Sequence, residues 1–410
     1  MSDLQGDSED ASIAQPLRYD SAKSEQMNAK IIYFDNAATT YPKPESVYEA
    51  QDSYLRSAAN PGRGAYQLAL APARLLFSIR EAIARFLGVK DASRLVFTGG
   101  CTLALNMALK GLHWRKGDVV VVSPLEHNSV MRPLKQLEAK EEIKIVTMPY
   151  AGAKVIDPCQ LAETFRQSRP RLCVVAEASN VTGSLLDLLT IAEICQGARV
   201  LLMVDAAQSA GLFNPRLSEI GVSIWCASGH KGLFGPPGVG LLYVAPEVEL
   251  EPLIAGGTGS LSEQLEMPRS YPDHLESGTL AGPAIAGLGA GVAWVEATGA
   301  EKIAEYERNL ALRFIHSISA YAQVFGPVGD SDLRTGTVAF RLAGATPDKV
   351  ADRLDRQFGI AVRAGLHCAS QAHKALGTLD SGLVRVSFSQ FNTEEEVDEL
   401  FRALELIAAS

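Results

Sequence analysis

From about residue 72, short apolar runs alternate with longer amphipathic stretches. Strands are predicted at 94–97 (Arg-Leu-Val-Phe), 119–122 (four valines), 143–146, 173–176, 200–204, 224–227 and 239–244. Helical periodicity marks 129–140, 158–168 and 188–197 between them. Most of the strand runs are apolar at successive positions, the pattern of strands covered on both faces. Strands alternating with helices predict an α/β fold with a mostly parallel central sheet. In such sheets binding residues sit just past the carboxyl ends of strands.

After about residue 290 the pattern changes. A helix is predicted over 301–322, a strand at 337–341, a helix near 347–358, strands at 360–363 and 384–388, and a last helix from Glu394. This reads as a smaller α+β domain. The predicted organisation is a leader at 1–28, a segment at 29–44 packing with the small domain, a large domain at 45–290 and the small domain at 291–410. No internal repeat interrupts it.

At 410 residues and 47% hydrophobic, the chain can bury a sizeable core. Its net charge of −9 leaves no basic face for nucleic acid or anionic lipid. No apolar run approaches the roughly 18 residues of a membrane span. Residues 1–28 are polar and acidic without a signal-peptide core, and Met27 is an alternative start. The six cysteines form no Cys-x-x-Cys pair, which fits a reducing, cytoplasmic protein. His367, Cys368 and His373 make three donors without a fourth, so no metal is predicted.

Candidate chemistry clusters at the strand ends. Asp205 closes a buried strand in Asp205-Ala206-Ala207-Gln208, and Lys231 follows the next in Ser228-Gly229-His230-Lys231. A lysine that forms an imine with an aldehyde, and an acid that keeps a pyridine nitrogen protonated, are what pyridoxal 5'-phosphate (PLP) requires. Thr98-Gly99-Gly100-Cys101-Thr102 joins a strand to a helix N-terminus, where a phosphate is stabilised and the Thr102 hydroxyl adds a donor. His127 is placed to stack on the ring or move protons, and Asn180 and Gln208 to hydrogen-bond its phenolic oxygen. The glycine run 235–240 precedes a strand rather than a helix and is no dinucleotide fingerprint. Arg385 is a candidate for a substrate carboxylate through paired hydrogen bonds, with Arg363 second. Cys368 lies in a glycine-containing loop, Arg363-Ala364-Gly365-Leu366-His367-Cys368-Ala369, beside basic groups that favour a thiolate.

Phe34-Asp35-Asn36-Ala37-Ala38-Thr39-Thr40, Glu126-His127-Asn128, the Asp205 and Lys231 motifs and Glu276-Ser277-Gly278-Thr279 resemble class-V aminotransferases. Residues 363–368 and Phe391-Asn392-Thr393-Glu394-Glu395-Glu396-Val397-Asp398 are similar to the cysteine desulfurases, in their short-loop group. The resemblance runs in order from about residue 31 to the C-terminus. It implies a PLP homodimer of fold type I, with Lys231 as the imine lysine, Asp205 as the pyridinium partner and His127 stacking on the ring. It implies Cys101, Thr102, Ser228 and His230 around the phosphate, the first through its backbone. Thr279 is implied to reach the phosphate of the other subunit, and Asn36 to lie near the substrate carboxylate. Two positions depart from the pattern. Tyr66 stands where many short-loop relatives carry histidine, and Ser370-Gln371 stands near where many have proline.

The implied reaction turns L-cysteine into L-alanine and leaves a persulfide on Cys368 for a small sulfur-acceptor or scaffold protein. The acceptor, and with it the outlet among iron–sulfur cluster assembly, tRNA thiolation and cofactor synthesis, is open at this point. A rival is another enzyme on the same scaffold, a selenocysteine lyase, a cysteine or cystine C–S lyase, or a transaminase. Another is a non-catalytic partner subunit, which the presence of Lys231 disfavours.

Overall fold

A computed structural model describes residues 31–409 apart from 62, 63, 65, 331 and 332. The leader expected over 1–28, with its alternative start, lies outside the described residues. Strand β1 (Ile32–Tyr33) opens the described chain. The large sheet takes β2 (Leu95–Thr98), β3 (Val119–Val122), β4 (Lys144–Thr147), β5 (Leu172–Ala176), β6 (Leu201–Asp205), β7 (Ile224–Ser228) and β8 (Gly240–Val244). Their order is β2-β8-β7-β6-β5-β3-β4. Only β8 runs against the others, pairing antiparallel with both β7 and β2. Two reversals restore the direction of β2, so β2, β3, β5, β6 and β7 all end on one side of the sheet.

The remaining strands are β9 (Ala322–Phe325), β10 (Thr337–Leu342), β11 (Ile360–Ala361), β12 (Arg363–Gly365) and β13 (Leu383–Ser387). Strands β12-β13-β10-β9 make an antiparallel sheet, and β11 pairs parallel with β1. The buried apolar residues form two clusters. One surrounds the large sheet. The other gathers Ile32 and Phe34 with Phe314, Phe340, Phe388 and the face of the final helix, Glu394–Ala408. Residue 290 falls inside the helix Gly282–Thr298, and membership passes between clusters from Ile303 to Leu310 within the helix Ala300–Ile318.

Local patterns account for the differences from expectation. The helix predicted over 301–322 stops at Ile318, the last residue of its buried stripe, and Ala322 begins β9 instead. The strand predicted at 360–363 divides, because Ile360–Ala361 pairs with β1 while Arg363 turns to β13. Helical pattern begins earlier than residue 72, in the helix Gln67–Phe86, with Pro72 inside it. Proline lacks the N–H that the Leu68 carbonyl would use, and Ala59 N–H donates to that carbonyl at 3.0 Å instead.

The turn after β2 is fixed by close backbone approach. Gly100 has φ 138°, and a Cβ on Gly240 would stand 2.6 Å from the Gly100 carbonyl carbon. Only glycines let the end of β2 and the start of β8 lie this close. Behind β2, Arg80 holds Glu276 through two hydrogen bonds of 2.7 and 2.8 Å, and Glu276 also accepts from Phe97 N at 2.6 Å. The pair is buried, at 8% and 6% side-chain exposure. Replacing Arg80 with Met strands the Glu276 carboxylate, and we expect a loss of about 3–5 kcal/mol in denaturant unfolding.

Candidate active site

One cavity of about 220 Å³ opens at the shared edge of the large sheet. It is lined by Cys101, Thr102, His127, Asn180, Asp205, Gln208, Ser228, His230, Lys231, Arg363, Cys368 and Arg385, twelve of the fourteen candidate residues. Most arrive on a strand end or a turn just past one, while Arg363 begins β12 and Arg385 sits in the middle of β13. Asp205 and Ser228 close β6 and β7, the helix Cys101–Gly111 starts three residues after β2, and His127 caps the helix Asn128–Glu141 beyond β3. Cys368 comes from the other sheet, three residues past β12, and is exposed at the cavity mouth.

At the centre, burial pushes the Lys231 ammonium down from its ordinary value, while Asp205 and then Cys101 pull it back up. Asp205 Oδ1 accepts from Ala207 N at 2.9 Å and from the Cys101 thiol at 3.5 Å, which leaves Oδ2 for a ring nitrogen. His127 Nδ1 accepts from Ser129 N at 3.1 Å, so its proton sits on Nε2, and burial keeps the ring's pKa lowered. Thr102 Oγ1 and Ser129 Oγ lie 2.8 Å apart. Burial pushes His230 down to about 4, with Lys231 and Lys43 adding to it. Its Nδ1 is buried with no hydrogen-bond partner among the described residues. Lys43 Nζ donates to the His230 carbonyl at 2.7 Å.

Several candidates occupy unexpected settings. The Cys101 side chain faces Asp205 rather than acting through its backbone alone. Asn180 Nδ2 donates to the His367 carbonyl at 2.8 Å, and Gln208 Nε2 to the Ala37 carbonyl at 2.9 Å. Arg385 is 1% exposed, paired with Asp35 Oδ1 at 2.5 Å and donating to the Asn180 carbonyl at 2.9 Å, with only Nε unpartnered. Arg363 is less buried, and its Nη2 lies 3.8 Å from Cys368 Sγ.

Two candidates lie away from this cavity. Asn36 is buried with its amide donating to the Ser387 carbonyl at 2.9 Å and to Asn392 Oδ1 at 3.2 Å. Thr279 lines a second cavity behind β2, with Thr98, Gly99 and Leu103. Tyr66 is 55% exposed at the start of the helix Gln67–Phe86, and Ser370 begins the short helix Ser370–Leu376. Residues not singled out from sequence also contribute, namely Ser129, Asp35, Lys43 and His367. Their polar chemistry was visible, but Asp35 and Arg385 are 350 positions apart, beyond the reach of local pattern.

These residues fit PLP. The unpartnered His230 Nδ1, the free end of the helix Cys101–Gly111 and the Thr102 hydroxyl form an anion cradle. Asp205 keeps one oxygen for a protonated ring, and Lys231 is within the same walls. The sheet order and this cavity define the PLP-dependent fold type I. The chain belongs to the class-V aminotransferase family, whose model matches residues 32–400, and the family's enzymes depend on PLP. It is 35% identical over 384 residues to a probable cysteine desulfurase of Methanothermobacter thermautotrophicus, covering 92% of this chain and 94% of that one. An apo cysteine desulfurase structure from Thermococcus onnurineus NA1 superposes with a TM-score of 0.86 at 30% identity, covering 92% and 95%. The Escherichia coli cysteine desulfurase CsdA, in an S-sulfonic acid form, gives 0.82 at 28% identity, covering 92% and 94%.

Beneath the ring site, burial pushes the Glu126 carboxyl up to about 8, although Ser123 Oγ and Ala176 N donate to it. The folded state therefore favours a neutral Glu126. That stability is fully present below the ordinary carboxyl value of 4.5 and is lost as pH rises towards 8. A Glu126→Gln variant cannot ionise, so its urea midpoint should gain on the parent's between pH 5 and pH 8.

Proposed function

We propose that this protein is a PLP-dependent cysteine desulfurase that converts L-cysteine to L-alanine and holds the sulfur as a persulfide on Cys368. The observation that carries this reading is the meeting of two chemistries in one cavity. Lys231 and Asp205 stand at its floor, and Cys368 stands at its mouth with the Arg363 guanidinium 3.8 Å from its sulfur.

When bound, the cofactor supplies an electron sink for the charge left on the substrate's α-carbon. Asp205 keeps the ring nitrogen protonated through its unused oxygen. Lys231, its ammonium destabilised by burial, is suited to take and return the α-proton. Thr102, Ser228 and His230 would hold the phosphate, and His127, neutral with its proton on Nε2, would lie against the ring. Arg363 and Arg385 are the cations for the substrate carboxylate. Both terminal nitrogens of Arg385 are already engaged, by the Asn180 carbonyl and Asp35, so Arg363 has the more available donors. The Cys368 thiolate attacks the sulfur of cysteine, an S–S bond forms, and the C–S bond breaks with its electron pair left on carbon. Protonation of that carbon gives alanine.

The persulfide then passes to a thiol of a small acceptor or scaffold protein, iron–sulfur cluster assembly being one outlet. We place the enzyme in the cytoplasm as a homodimer. Exposed apolar side chains such as Leu55, Leu68, Phe77 and Leu265 support pairing. No described helix is long and apolar enough to cross a membrane. In a second copy, Thr279 is the residue to reach across.

The test is alanine and sulfide released from L-cysteine with dithiothreitol. Equal amounts from the parent, falling at least a hundredfold in Cys368→Ala and in Lys231→Ala, are expected if nucleophile and base each act as stated (about 10²–10⁴ per group). Sulfide with pyruvate in place of alanine, unchanged in Cys368→Ala, would make the protein a C–S lyase. Undiminished alanine from L-selenocysteine in Cys368→Ala, with cysteine turnover lost, would mark a selenocysteine lyase.

A further inference from the structure

Two buried imidazoles stand behind Cys368 and have no role in the chemistry above. His367 Nδ1 lies 3.3 Å from His373 Nε2, and His373 Nδ1 lies 2.8 Å from Thr378 Oγ1. The rings meet edge to edge, their centroids 5.5 Å apart with 21° between their planes, the arrangement an in-plane N–H···N bond requires. At the far end His367 Nε2 is 3.5 Å from the Arg363 carbonyl oxygen. A carbonyl only accepts, so His367 carries its proton on Nε2. Nδ1 of that neutral ring must then accept from His373 Nε2–H, and His373 Nδ1 in turn accepts from the Thr378 hydroxyl. The Arg363 carbonyl sets this direction from one end at 3.5 Å, and at the other the Thr378 hydroxyl lies nearer His373 Nδ1 (2.8 Å) than the His373 carbonyl (3.5 Å). Burial pushes His367 down to about 3, with Arg385, His373 and Arg363 all disfavouring a second proton, and burial lowers His373 as well.

The row ends on a strained corner. His367 and Cys368 are consecutive, with φ of 52° and 56°, a region costing about 1–2 kcal/mol for each L-residue. Their carbonyls are already held, His367 O by Asn180 and Cys368 O by Asn128 N at 2.8 Å. The remaining freedom is the His367 side chain, 3% exposed, and His373, fully buried, is what meets it. His373 and Thr378 lie on and just past the short helix Ser370–Leu376 that follows the cysteine.

We infer that His373 is a positioning residue: with Thr378 it forms a buried hydrogen-bonded strut that locks His367 as the Nε2–H tautomer and so holds the left-handed His367–Cys368 corner with the thiol at Arg363. The inference rests on the reading of Cys368 as the nucleophile.

Ring nitrogen-15 NMR of the parent holoenzyme tests the tautomers without any substitution. The expected result is neutral Nε2–H for both histidines from pH 5.5 to 8. A cationic or Nδ1–H His367 overturns the strut. The second arm uses His373→Leu, which removes both hydrogen bonds, and His373→Gln, which keeps an N–H near the Nε2 position. Alkylation of Cys368 by iodoacetamide is followed in a Cys159→Ser background, since Cys159 is the other exposed cysteine. Leu should slow alkylation and kcat about three- to tenfold, the scale of one hydrogen bond, with KM unchanged, and Gln should restore most of both. A Leu variant reacting at the parent rate, or a Gln variant no better than Leu, overturns the proposal. If His373→Leu does not fold, the parent tautomers decide. Undiminished desulfuration by Cys368→Ala would sink the functional reading instead, leaving the NMR and alkylation results to stand or fall separately.

Discussion

A carboxylate and an ammonium held close inside the protein organise this molecule. Water screens such charges, and a buried cavity does not. Burial disfavours the charged form of Lys231 while Asp205 favours it, and the balance keeps a nucleophilic amine within reach of its protonated state. The fold supplies that balance by ending β6 and β7 side by side, so an acid and a lysine from neighbouring turns enter one pocket. The antiparallel β8 contributes as well. By reversing twice, the sheet brings the end of β2, and the helix N-terminus that follows, to the same edge.

A second constraint joins the two sheets. Arg385 on β13 is buried against Asp35 near the start of the described chain and against the Asn180 carbonyl past β5. Asn180 in turn grips the His367 carbonyl. A guanidinium with 1% exposure is stable only while these partners remain. The cysteine loop, the N-terminal segment and the large sheet are therefore assembled by one network, and the site forms only when both sheets are in place.

Much of this was legible in the residues. Seven strands, the mostly parallel sheet and the turn positions of Asp205, Lys231, His127 and Cys101 follow from local pattern, because a strand end fixes where the next few side chains go; the strand at 143–146, expected to be buried, is instead the partly exposed edge strand β4. The helix 301–322 and strand 360–363 were misjudged at their ends, where the choice lies with pairing partners rather than propensity. Side-chain direction was less legible still. Cys101 turning to Asp205 and Asn180 turning to the cysteine loop depend on neighbours about 104 and 187 positions away. The roles of Asn36 and Thr279 came from resemblance alone. In the single chain both lie away from the main cavity.

For the persulfide proposed on Cys368, the carbonyl grips at His367 and Cys368 bear on how sulfur would leave. A cysteine on a long tether could swing outward and deliver its cargo at a distance, but a residue clamped on either side of its peptide has a short reach. The persulfide proposed there would stay at a fixed address on the rim, and its recipient would have to travel the last few ångströms. That favours an acceptor whose thiol sits on a projection slender enough to enter the mouth, and it turns the breadth of that mouth into a filter on which thiols are served.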